Sequence, residues 1–130
     1  MLEYWYMLAK PTKLSKAKLR TKADRLASQF YRTKTPYCEL QGLDSISCGG
    51  NIQWCHVYSR SHLHIRYESF NNLILCQGHH RFYTTNPIEW VRTLEKHYPE
   101  RLALAEQNRY KTHDKIDYDY WIDLFTVQSN

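Results

Sequence analysis

The sequence predicts an α+β fold: a small core rich in cysteine and histidine, with helices before and after it. Three observations lead there. Four cysteines and five of the seven histidines lie between Cys38 and His80 of the 130-residue chain. A basic amphipathic segment precedes them, and proline-led helical stretches follow. Between these lie only short apolar runs of strand character. The length suits one domain spanning 1–130, with a basic helix at 13–34, a core at 37–85 and C-terminal helices at 86–130. A hydrophobic fraction of 42% against 24% charged residues excludes wholesale disorder.

The first helix runs from Lys13 to Lys34. Leu19, Ala23, Leu26, Ala27, Phe30 and Tyr31 recur at helical spacing and form its apolar stripe. Lys16, Lys18, Arg20, Lys22 and Arg25 mostly lie off that stripe. Thr35-Pro36 ends it, because the residue before proline is pushed out of the helical region. Residues 37–55 are rich in turn formers (Gly42, Asp44, Ser45, Ser47, Gly49, Gly50) and predict a hairpin or knuckle. A strand over Ile52–Tyr58 follows, then a polar loop over Ser59–Phe70. Asn71-Asn72 leads into the apolar run Leu73-Ile74-Leu75, and a helix begins near Cys76 and runs to about Tyr83. Asn86-Pro87-Ile88-Glu89 reads as a capped helix start, with Asn86 as cap and Glu89 reaching back to it. That helix stops before Pro99. Glu100–Tyr110 is helical by Leu102 to Ala105. The tail from Asp117 to Phe125 puts Tyr118, Trp121, Ile122 and Phe125 on one side, so it is expected to dock on the rest.

The net charge of +5 is uneven. Residues 1–37 carry nine Lys/Arg against two acids, and residues 38–130 nine against eleven. Such an asymmetry suits a polyanionic partner, or simply a solvated basic face. No apolar run reaches the roughly 18–20 residues of a membrane helix. The opening lacks the charged start and cleavage site of a secretory signal, so the expectation is a cytoplasmic protein without disulfides.

Cys76-Gln77-Gly78-His79 at a helix start turns a thiolate and an imidazole toward one point. Tetrahedral zinc takes such mixed ligands. Cys38 and Cys48, around a glycine-containing turn, are the natural second pair. The expected site is therefore a structural zinc held by Cys38, Cys48, Cys76 and His79; the bland alternative is four small buried side chains. His56 at a strand end, Asn71, and His80 beside the zinc step form a second series suited to phosphodiester hydrolysis. A neutral His56 can take a proton from water. His80 can bind a divalent cation at the scissile phosphate. Asn71 can tie down the loop after His56. Arg60 and Arg66 can hold phosphate oxygens. His62 and His64 read as solvated loop residues.

The order Cys38, Cys48, His56-x3-Arg60, Arg66, Asn71-x4-Cys76-x2-His79-His80 resembles the HNH endonucleases. More narrowly, it looks like small phage HNH proteins such as the NinG/Rap-like recombination nucleases. The resemblance covers about residues 37 to 85. It implies a ββα-metal, treble-clef-like core with a structural Zn2+ and a catalytic Mg2+ or Mn2+. It puts the general base on His56, the central asparagine on Asn71 with Asn72 as fallback, and the ion-binding histidine on His80. Where many members have Asp or His before the base, as a second ligand of the ion, this chain has Cys55. A thiolate suits Mg2+ poorly; either His80 holds the ion with substrate and water, or a softer ion is used, or Cys55 faces the core.

The expected activity is metal-dependent cleavage of DNA, by nicking or on branched phage DNA, in the host cytoplasm. Lys16 and Arg20 on the basic helix are expected nucleic-acid contacts, and the protein a monomer or homodimer. Two other readings stay open: a zinc-stabilised nucleic-acid-binding module without catalysis, and a partner-binding adaptor using its 11 tyrosines and 4 tryptophans.

Overall fold

The computed structural model describes residues 14–59, 61–110 and 116–128. Helix α1 (Lys16–Lys34) begins at Ser15, whose hydroxyl accepts the Lys18 N–H at 3.3 Å. It ends at Thr35, whose N–H still reaches the Tyr31 carbonyl. Lys13, the expected first residue, lies outside the described residues. Strands β1 (Ile52–His56) and β2 (Asn72–Cys76) form an antiparallel pair with Ile52 opposite Cys76 and His56 opposite Asn72. Helices α2 (Gln77–Thr85), α3 (Pro87–His97), α4 (Pro99–Asn108) and α5 (Tyr118–Gln128) follow.

The sheet separates two cores, and strand alternation decides what each receives. Cys55 and Val57 of the β1 segment, with Leu73 and Leu75 of β2, meet Leu40, Tyr83, Leu94 and Ala105 on the side of α2, α3 and α4. Trp54 faces the other way, toward Ala23 and Ala27 of α1, Tyr67, and Tyr118, Ile122 and Phe125 of α5. Its ring stacks between Tyr31 and Tyr67. The expected stripe of α1 and the docking of the tail are both present.

Four local expectations change. β1 stops at His56, not Tyr58, because the Asn71 side chain takes the backbone of Tyr58. Residues 37–51 form turns rather than a hairpin. In their place Glu39 completes the outer edge of β2: its N–H donates to the Ile74 carbonyl and its carboxylate accepts the Ile74 N–H, both at 2.8 Å. The loop after β1 contains two single turns of 3-10 helix, Leu63–Ile65 and Ser69–Asn71. Asn86 stands at the N-cap of α3 as expected, but without a side-chain bond to that helix. Its amide donates to the Phe82 carbonyl at 2.8 Å and so finishes α2. Glu89 instead pairs with Arg92 on the exposed face.

Candidate metal centre and adjoining cleft

Three backbone contacts bring the predicted metal ligands together. The Glu39–Ile74 pairing sets Cys38 beside β2. The Gln77 N–H donates to the Asn51 carbonyl at 2.9 Å, and the Gly78 N–H to the Gly49 carbonyl at 3.0 Å. These lay the Cys48–Gly49 turn against the first turn of α2. Gly50 makes that turn possible: its φ is +78°, and a Cβ there would stand 2.7 Å from the Gln77 Cβ. As a result one ligand atom each from Cys38, Cys48, Cys76 and His79 lies within 4.8 Å of all the others.

This donor set fits a tetrahedral metal ion. Zn–S bonds of about 2.3 Å place sulfurs about 3.8 Å apart across a tetrahedron, close to what the group offers. His79 Nδ1 is 3.1 Å from Cys76 Sγ and 3.6 Å from Cys48 Sγ. Its other nitrogen, Nε2, donates to Asp44 Oδ1 at 2.9 Å, which leaves the lone pair on Nδ1, facing the sulfurs. Tyr83 in turn donates to Asp44 Oδ2 at 2.6 Å. Three of the four ligands are buried and Cys48 is exposed.

The donors differ electrostatically: burial, with Cys76 and Cys38 beside it, pushes the Cys48 thiol up to about 12. Burial works against an ionised Cys76, but the N–H groups of His79 and Gly49, the His79 ring and the Cys48 thiol outweigh it and bring its pKa down to about 6. Burial likewise opposes a charged His79, yet Cys76 and Asp44 pull its pKa upward. Desolvation is also offset at Asp44, where bonds from Tyr83, His79 and the Ile46 N–H hold the carboxyl below its ordinary value. A readily ionised thiol and a basic imidazole therefore face each other, and an ion between them would take the place of the proton they share.

Next to this centre lies a cleft of about 480 Å³, whose lining includes His56, His80, Ser59, Tyr83, Thr84 and Trp90. His56 enters from the end of β1, on the Trp54 face, its ring 4.5 Å from the indole. His80 enters from the first turn of α2 and is exposed. Its Nδ1 stands 2.6 Å from Gln53 Oε1. Because a carboxamide oxygen only accepts, Nδ1 carries a proton toward it. Asn71 is fully buried: Oδ1 accepts the Tyr58 N–H at 2.8 Å and Nδ2 donates to the Tyr58 carbonyl at 3.2 Å. With the Val57 N–H on the Asn71 carbonyl and the Trp90 indole on the Val57 carbonyl, this fixes the chain just past His56. Both ends of the Asn71 amide are thus engaged by the backbone of Tyr58. Asn72, opposite His56, joins the Trp54 indole to the Glu68 carbonyl. Cys55 is 4% exposed, packs in the core and also borders the floor of this cleft.

The expected phosphate contacts fare differently. Arg66 is 6% exposed and forms a two-pronged pair with Asp24 at 2.9 and 2.7 Å, which Tyr67 joins at 2.7 Å. It fastens the loop after β1 to α1, a role at odds with phosphate binding. Arg20 donates to the Tyr118 hydroxyl at 3.0 Å and so ties α1 to α5. Lys16 is exposed at the start of α1. Arg60 lies outside the described residues. His64, expected in solvent, bonds the Asn108 carbonyl at 2.8 Å, and His62 packs on Tyr58.

Sequence reasoning took Asp44 for a turn residue and passed over Gln53 and Glu39. Only the carboxylate that a metal-bound histidine requires behind it pointed to Asp44, and 35 residues separate the two. Among the described residues, no helix is long and apolar enough to cross a membrane. No family model, curated protein or solved structure matches the chain.

Proposed function

We propose that this chain is a metal-dependent DNA endonuclease of the HNH type, with a ββα-metal, treble-clef-like core around a structural zinc. The reading rests on one juxtaposition: two imidazoles, from the end of β1 and the start of α2, line a single cleft beside a Cys3His ligand set. A zinc-stabilised binding module has no need of the second pair.

In this reading Cys38, Cys48, Cys76 and His79 hold zinc, which knits the turn at 48–50 to β2 and α2 and so supports both histidines. His80 would hold the catalytic Mg2+ or Mn2+ through Nε2, together with substrate oxygens and water. When bound, that ion supplies positive charge to the scissile phosphate and the leaving oxygen. Its hard oxygen ligands would come from substrate and solvent, since the nearby thiol of Cys55 suits Mg2+ poorly. His56, as neutral imidazole, takes a proton from the attacking water. The Asn71 clamp on Tyr58 keeps His56 at the cleft mouth. Trp90 and Tyr83 form an apolar wall that limits water.

Incubating supercoiled plasmid and branched DNA with the protein in Mg2+, Mn2+ or EDTA tests the reading. Nicking that needs the ion and is lost in His56→Ala is the expected result. Binding without cleavage in every ion, unaltered by the substitution, would leave a binding module in its place.

A further inference from the structure

We propose that a DNA strand runs along one face of α1, in a groove that opens into the His56/His80 cleft. Lys18, Lys22, Arg25 and Arg32 seat its phosphates. The inference rests on the nuclease reading and names where the backbone of that substrate lies.

Three concavities follow one another, each sharing lining residues with the next. The cleft shares Trp54 and His80 with a groove of about 550 Å³, which Arg25, Ser28, Arg32 and Gln53 also line. That groove shares Arg25 with a shallower one of about 370 Å³, lined by Ala17, Lys18, Thr21 and Lys22. The result is one path from the start of α1 to the two histidines. Its basic residues at 18, 22, 25 and 32 are spaced by three, four or seven, so they share one helix face beside the apolar stripe. From Lys18 to Arg32 that face is about 21 Å long at 1.5 Å per residue.

The arginines are set for an anion. Arg32 Nε donates to the Ser28 carbonyl and hydroxyl, at 3.1 and 3.0 Å. This anchors the stem and leaves the two terminal amino groups for phosphate oxygens. Arg25 is exposed. Among the described residues the one acid lining the groove, Asp24, has both oxygens engaged by Arg66. Of the four basic residues first expected to touch DNA, Arg66 is spent on Asp24, Arg20 is anchored through Nε on Tyr118, Lys16 is exposed at the start of α1, and Arg60 lies outside the described residues. Charge complementarity, a continuous concave path and its end at the two imidazoles together select a phosphodiester strand as occupant.

The test measures binding of a fluorescent DNA duplex and a fluorescent single strand across a salt series, on zinc-loaded full-length protein. Arg25→Gln/Arg32→Gln is expected to flatten the slope of log K against log salt by about 1.8 for duplex, at about 0.9 for each phosphate no longer neutralised. Any cleavage should fall in step. Arg92→Gln/Lys96→Gln removes the same charge from the exposed face of α3 and should leave the slope unchanged. Arg25→Glu alone, at an exposed position, should flatten it in the same direction and guards against misfolding of the double variant. A wild-type slope in folded Arg25→Gln/Arg32→Gln overturns the proposal, as does absence of DNA binding by the wild type. Groove-dependent binding with no cleavage in any ion upholds the strand path and refutes the nuclease reading alone.

Discussion

Asn71 contributes through both ends of its amide, and the backbone of Tyr58 depends on it for an acceptor and a donor. Asn71→Ala leaves both groups unsatisfied inside the protein, at a cost of about 2 kcal/mol. Urea denaturation of the zinc-loaded protein should register that loss, and a variant as stable as wild type would remove the clamp from the account. Asp44 holds the ring of His79 and fixes which nitrogen faces the sulfurs. Asp44→Ala should therefore weaken zinc binding about 10–100-fold, read by competition with a chromophoric chelator. Unchanged affinity would mean that Asp44 serves Tyr83 only. The metal ligands were legible in the sequence because Cys76-x2-His79 is a local step on a helix. Asp44 was not, because its partnership with His79 and Tyr83 exists only after the turn has closed over α2.

Between elements, Arg66 is where sequence and structure part most clearly. Its position near a histidine-rich loop suggested phosphate, but its guanidinium joins that loop to Asp24 on α1, 42 residues away. Removing one partner of a buried pair strands the other, so Arg66→Ala should destabilise by about 2–3 kcal/mol, less than a fully buried pair because Asp24 is partly in water. Thermal melts compare it with wild type; a stable variant with weakened DNA binding would restore the phosphate role. Glu68, in the same loop, has its pKa raised by burial. The folded protein then holds a proton that the unfolded chain has released, and stability falls as pH rises from the ordinary glutamate value through the raised one. Glu68→Gln should raise the urea midpoint at pH 7 and leave it nearly unchanged at pH 4. An equal gain at both values would place the effect elsewhere. The helices themselves were readable because periodicity is local: the stripe of α1 and the Tyr118, Ile122 and Phe125 face of α5 meet as their spacing requires. Glu39 as a surrogate strand partner for β2 was not readable, since nothing in its own neighbourhood signals it.

At the scale of the molecule, a two-stranded sheet is too small to be stable alone. It persists here between two helical layers, with the Cys/His cluster at one end of β2. One layer, with the cluster, supports the two histidines, while the other presents the basic face of α1. The fold class, the helical flanks and the ligand cluster were open to sequence reasoning. The groove that links α1 to the cleft was not, because it depends on how α1 lies across β1. The claim that joins these parts is that His56 and His80 act together in one cleft. Single-turnover cleavage of a labelled DNA in Mn2+, by wild type, His56→Ala and His80→Ala, tests it most directly. Both variants should keep their zinc and their melting temperature and lose roughly 10²-fold or more in rate, the range expected for a general base. A folded, zinc-loaded His56→Ala protein that cuts at the wild-type rate would contradict the account.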